Sequence, residues 1–160
     1  MSSRAGRADP GSVVRRVLLA TLLIGLVGTL VELLLLEHTE GFLQQVPLYL
    51  LIAGLLALGW HGVRPGAASI RVLQGTMLLF LLSGAAGVLL HYDGNVEFEL
   101  EMHATATGFE LFREAIKGAT PALAPGTMIL LGLVGLTYTL RHPALLASNH
   151  NSSIAHGEST

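Results

Sequence analysis

Three observations predict the fold class, an all-α membrane protein: a four-helix transmembrane bundle with a short extracytoplasmic strand and amphipathic helix between helices three and four. First, the 160 residues contain four apolar stretches, 17–36, 42–60, 72–90 and 121–140. Each is about 20 residues, the length of helix that crosses the hydrocarbon core of a bilayer. Second, these stretches lack a polar face. The first carries one charged residue, Glu32, and the others none. A helix that is apolar all round lies inside a large protein or faces lipid, and 160 residues are too few to bury four of them. Third, the charges alternate between connecting segments. Arg4, Arg7, Arg15, Arg16, Arg64, Arg71 and Arg141 fall on one side of the expected bundle, and only Arg113 and Lys117 on the other. That other side holds Glu37, Glu40, Asp93, Glu97, Glu99, Glu101, Glu110 and Glu114. The positive-inside rule then predicts a multi-pass protein of the cell membrane with both termini cytoplasmic.

The elements follow in order. Residues 1–12 are small, polar and basic, and are expected to form a mobile cytoplasmic tail ahead of a membrane domain over 13–142. Helix one, 17–36, follows Arg15 and Arg16 as a secretory signal would. Its apolar run is too long for one, and no small-x-small cleavage pattern follows, so an uncleaved signal anchor is expected. Thr21, Gly25 and Thr29 recur at four-residue spacing along it, and similar pairs are Ala53 with Ala57, Ser83 with Gly87, and Gly135 with Thr139. Small residues so placed let helices approach closely.

The segment 91–120 forms an extracytoplasmic cap. Asp93 and Gly94 give a turn signal. From Val96 to His103 polar and apolar residues alternate, which predicts a strand with Glu97, Glu99, Glu101 and His103 on one face. Read as a helix, the same run places Glu97 near Glu101 and Glu99 near His103. Thr107 and Glu110 match a capping box, and Phe109, Phe112 and Ile116 then share one face of a short amphipathic helix ended by Gly118. That helix is expected to lie on the outer leaflet, seated by its apolar face. Pro121 and Pro125 predict a broken entry into helix four. Residues 143–160 are expected to be a disordered cytoplasmic tail.

Chemistry is sparse. The absence of cysteine excludes disulfides, thiolate metal sites, iron–sulfur clusters and covalently attached c-type haem. No nucleophile elbow, phosphate loop or dinucleotide fingerprint occurs, and no basic domain suggests nucleic acid. Glu32, about one turn inside helix one, is costly there unless paired, protonated or hydrated. It is either an ion or proton ligand or a partner of Arg113 or Lys117. Glu32, Glu97, Glu99, Glu101 and His103 are candidate ligands of a divalent cation, since carboxylate with imidazole suits such ions. His38 with His91 at the outer end, and His61 with His142 at the inner end, belong to parallel helices and are candidate ligands of haem b.

The leading expectation is a small, non-enzymatic integral membrane protein, an accessory or assembly subunit whose acidic cap binds a cation or a partner protein. Its surroundings would be the lipid bilayer and other membrane subunits or further copies of itself. Competing expectations are a b-type haem electron carrier and a small ion- or proton-coupled transporter using Glu32.

Overall fold

A computed structural model describes residues 10–118 and 123–146. Five α-helices follow in order: α1 Pro10–Leu35, α2 Phe42–Val63, α3 Ala67–Met102, α4 Gly108–Lys117 and α5 Leu123–Thr139. Three of them, α1, α2 and α3, are long and apolar enough to cross a membrane. Among the described residues α5 is shorter, with 17 residues that rise about 26 Å.

Helix α1 begins at Pro10, ahead of the apolar stretch, so residues 10–12 join a helix instead of the expected tail. Proline suits a first helical turn, where its missing N–H has no intrahelical partner to lose. The buried residues Leu22, Leu26, Thr29 and Leu33 are spaced four, three and four apart, one stripe along the helix. Around that stripe Leu23, Ile24, Val27, Val31 and Leu34 are exposed. Such a surface is stable in hydrocarbon and costly in water.

Helices α1, α2, α3 and α5 pack in a ring, each against the next, and the closest pair is α3 with α5. Phe80, fully buried, fills the centre beside Leu26 and Gly54. Around it Leu22, Leu51, Leu73, Met77, Met128 and Leu131 complete one apolar core. Some of the small residues singled out in the sequence work as expected. Gly25 faces Leu131, Gly87 faces Pro125, and Gly135 faces Met77. The tightest backbone approach is at Gly84, where an added Cβ would fall 2.7 Å from the Pro125 carbonyl oxygen.

The expected strand is not formed. Residues 96–102 continue α3, and Asp93 and Gly94 lie within the same helix instead of a turn. Among the described residues there is no strand. The reason is energetic: a lone strand leaves its backbone groups unpaired, whereas extending an existing helix needs no new nucleation. Glu, Leu and Met are also good helix formers. Helix α3 is therefore 36 residues long, and its last 12 extend it by about 18 Å.

The cap helix also differs from expectation. Thr107 is the N-cap of α4, but its side chain makes no capping hydrogen bond. Gly108 takes φ 60° at the start, a conformation open to glycine. Helix α4 leaves Phe109, Phe112 and Ile116 exposed to its surroundings, with the Phe112 ring 6.1 Å from that of Tyr92 on α3. It packs on α3 through Ala115, buried completely, whose carbonyl accepts a hydrogen bond from Asn95 Nδ2 at 3.0 Å. Gly118 ends the helix where a Cβ would strike the Asn95 side chain. Because the start of α4 follows the far end of α3 and its last turn meets Asn95, the two run antiparallel. Together they form a helical hairpin at the acidic end. Pro121 lies outside the described residues, as do 1–9 and 147–160. Residues 143–146 form one further helical turn after α5.

Candidate functional site

The acidic end of the helix ring holds a cleft of about 850 Å³ between α1, α2, α3 and α5. Its shape begins with the way α1 stops. Glu37 adopts φ 50°, the left-handed conformation usually given to glycine at a helix end. Its N–H bonds the Leu34 carbonyl at 3.2 Å, and the His38 N–H bonds the Leu33 carbonyl at 3.0 Å. These two bonds satisfy carbonyls that the helix leaves open and turn His38 back towards the cleft. The loop is then tied to α2. Glu40 N–H donates to Gln44 Oε1 at 3.0 Å, and Gln45 Nε2 donates to the Thr39 carbonyl at 3.0 Å.

The walls are apolar, with Leu33, Val46, Leu90, Pro125 and Met128 among them. The polar residues in its lining are Glu32, His38, Glu40, Gln44, Ser83 and His91. His91 Nδ1 is buried and has no hydrogen-bond partner among the described residues. Burial, and next the neighbouring His91, push the His38 pKa below its ordinary value, so His38 favours the neutral, hydrogen-bond-accepting form. Arg113 and Lys117, the cations expected near Glu32, bind Glu114 instead, at 2.7 and 3.4 Å. Their company holds the Glu114 carboxyl below its usual range, chiefly through the Arg113 hydrogen bond. Apolar walls with a few convergent polar groups are the usual make-up of a ligand site.

The structure thus brings Glu32, His38 and His91 to one cleft. It sends the other expected cation ligands elsewhere. Glu97, Glu99, Glu101 and His103 lie on the hairpin, with His103 as the C-cap of α3. In the helix, Glu97 and Glu101 share one face and Glu99 shares another with His103. Among the described residues no three His, Asp or Glu side chains converge to hold a metal.

The histidine pair at the basic end, His61 and His142, also meets, in a different setting. His61, buried at the end of α2, places Nδ1 3.0 Å from Ser69 Oγ and Nε2 2.9 Å from the Tyr138 hydroxyl. Ser69 Oγ accepts the Gly66 N–H at 3.2 Å and donates to the Gly66 carbonyl at 3.0 Å. With that proton placed, His61 Nδ1–H donates to Ser69 and Nε2 accepts from Tyr138. The His142 ring packs edge-on at 5.3 Å from His61, and its Nδ1 accepts the Ala144 N–H at 3.3 Å. Burial, followed by His61 and Arg15, lowers the His142 pKa. Both ring nitrogens of His61 are therefore engaged by protein groups, and neither is directed at a space between the two histidines. The cluster joins α2, α3 and α5 at the basic end as a satisfied polar network.

Sequence reasoning passed over Ser69, Asn95 and Tyr138, the partners that make these contacts. Each is a single polar residue in a helix, and only tertiary neighbours distinguish it from a solvated one. No protein family, characterised protein or solved structure matches this chain.

Proposed function

We propose that this chain is a small, non-enzymatic integral membrane protein, an accessory or assembly subunit that docks a partner protein through the α3–α4 hairpin. The observation that carries the reading is the hairpin's unused apolar surface. Asn95, Ala115 and Gly118 hold the two helices together, while Phe109 is 78% exposed, Met102 64% and Ile116 61%. Grouped apolar side chains that a fold does not bury mark interaction surfaces. The same two helices carry Asp93, Glu97, Glu99, Glu101, Glu110 and Glu114 along this stretch, with Arg113 and Lys117 as its basic residues. A matching partner presents apolar residues ringed by Lys and Arg.

In this proposal α5 is the fourth membrane crossing. It lies along α3, from Gly87 against Pro125 to Gly132 and Gly135 against Met77, so it follows α3 through the bilayer. Its short span is met by local thinning of the lipid. The segregation of Arg and Lys orients the hairpin outside the cell membrane and both termini in the cytoplasm. A protein partner fits because the exposed side chains of the hairpin include large apolar ones as well as carboxylates.

A photo-crosslinking amino acid at position 109, with Leu56 on the exposed face of α2 as the comparison site, tests this in native membranes. The expected result is a discrete protein adduct at 109 and lipid adducts at 56. The adduct should disappear when Met102→Ser and Ile116→Ser are added to the same chain and its melting temperature is kept. Lipid adducts alone at 109, or an adduct that survives the double substitution, would overturn the proposal.

A further inference from the structure

We infer that the cleft at the acidic end binds the ammonium head of an amphipathic ligand, with its apolar tail between the helices. The size fits: about 850 Å³ lies within the range that holds a drug-sized molecule. The charge of the lining selects the head. Glu32 and Glu40 contribute carboxylates, and no Lys or Arg lines the cleft. The cations that sequence reasoning placed beside Glu32 are engaged by Glu114. A carboxylate at the edge of a low-dielectric region is stabilised by a cation close to it, and here the ligand supplies it.

The imidazoles refine the choice. His38, held neutral chiefly by burial, offers a ring nitrogen as acceptor. An ammonium with N–H groups donates to a carboxylate or to a neutral imidazole nitrogen of this lining. A quaternary ammonium has no N–H to give, and an anionic head meets two carboxylates. The propionates of haem are disfavoured for the same reason. The remaining lining, Leu33, Val46, Leu90 and Met128, suits an alkyl or ring body entering from the bilayer. This inference stands apart from partner docking on the hairpin, since the cleft lies between the four packed helices.

The probe is dodecylammonium chloride, titrated calorimetrically into the full chain in a neutral maltoside detergent. Saturable binding at one site is expected, weakened about tenfold by Glu32→Gln and further by Glu32→Gln with Glu40→Gln. Dodecyltrimethylammonium should bind more weakly than dodecylammonium, and dodecyl sulfate should not bind at the site. If the double variant does not fold, the wild-type chain decides the matter alone. Dodecylammonium should raise its melting temperature, and dodecanol should not, because only a ligand that prefers the folded state stabilises it. Equal binding of ammonium and sulfate, or equal binding to the wild type and the double variant, overturns the inference. So does an absence of thermal protection. Nanodiscs distinguish the two sources of such a head. Loss of dodecylammonium affinity in discs containing phosphatidylethanolamine assigns the site to that lipid. Unchanged affinity assigns it to a free amphipathic amine.

Discussion

Gly84→Ala tests whether the α3–α5 contact is as close as the backbone geometry requires. A Cβ at position 84 would lie 2.7 Å from the Pro125 carbonyl oxygen and 2.9 Å from the Ile129 nitrogen. Ordinary carbon contacts are about 3.5–4.0 Å, so the helices must separate by several tenths of an ångström or more. Both obstacles are main-chain atoms, and no rotamer change relieves them. Forcing a methyl into such a site costs about 1–3 kcal/mol, and the rigid obstacle argues for the upper half. Replacing glycine by alanine in a helix returns about 0.8–1.0 kcal/mol. The net expectation is a loss of about 1–2 kcal/mol. Gly28→Ala and Gly59→Ala are the controls, because nothing lies within 4 Å of an added Cβ at either position. They keep the helix gain without the clash, so Gly84→Ala should fall below them by about 2–3 kcal/mol. For a chain of this size that separates the melting temperatures by about 4–12 °C. The single tryptophan, Trp60, reports thermal unfolding in mild detergent. If Gly84→Ala melts with Gly28→Ala, the close approach of α3 and α5 is refuted.

Two further predictions concern the buried polar groups. Tyr138→Phe leaves His61 Nε2 without its 2.9 Å partner and should cost about 1–3 kcal/mol. Tyr49→Phe, which removes an exposed hydroxyl bonded to Gln45, should change stability by less than about 0.5 kcal/mol. Equal melting temperatures for these two variants would contradict the network. In the folded chain His38 and His142 bind protons less readily than at their ordinary pKa of about 6.5, chiefly through burial. The unfolded chain therefore binds more protons in that region. Their contribution is complete above about pH 6.5 and is lost as pH falls towards the lowered folded values. The melting temperature should drop between about pH 7.5 and 5, with a shallower slope in a His38→Gln, His142→Gln variant. A slope unchanged by both substitutions would rule out these histidines as its source.

Much of the helical framework was legible in the sequence because it depends on local composition. The stretches 17–36, 42–60 and 72–90 are apolar enough that a helix is the economical way to satisfy their backbone in hydrocarbon. The structure extends the first to Pro10 and the third to Met102. The error at 96–103 has a clear cause. A period of two was visible there, but periodicity states which residues share a face and not whether a strand has a partner to pair with. Helix α4 shows the same division. Phe109, Phe112 and Ile116 do share an exposed face, while the contact that joins the helix to α3 comes from Ala115 and Gly118 against Asn95.

The site was legible in fragments. Glu32, His38 and His91 stood out as polar residues at the ends of apolar runs, and parallel helices put His38 with His91 and His61 with His142. Their roles diverged for reasons outside the chain's local pattern. His61 finds Tyr138, 77 positions away, whereas His91 lines a cleft and its Nδ1 is buried without a partner among the described residues. The sequence alone determined that the chain has apolar stretches of membrane-crossing length, three of which the structure forms as helices long enough to cross, and that acid gathers in some connecting segments, since length, hydropathy and charge add up residue by residue. Only the tertiary structure decided that α3 runs on into a hairpin, that one histidine pair is consumed in packing, and that the other opens on a cavity. Those outcomes depend on which distant atoms meet, and a meeting between helices is a property of packing.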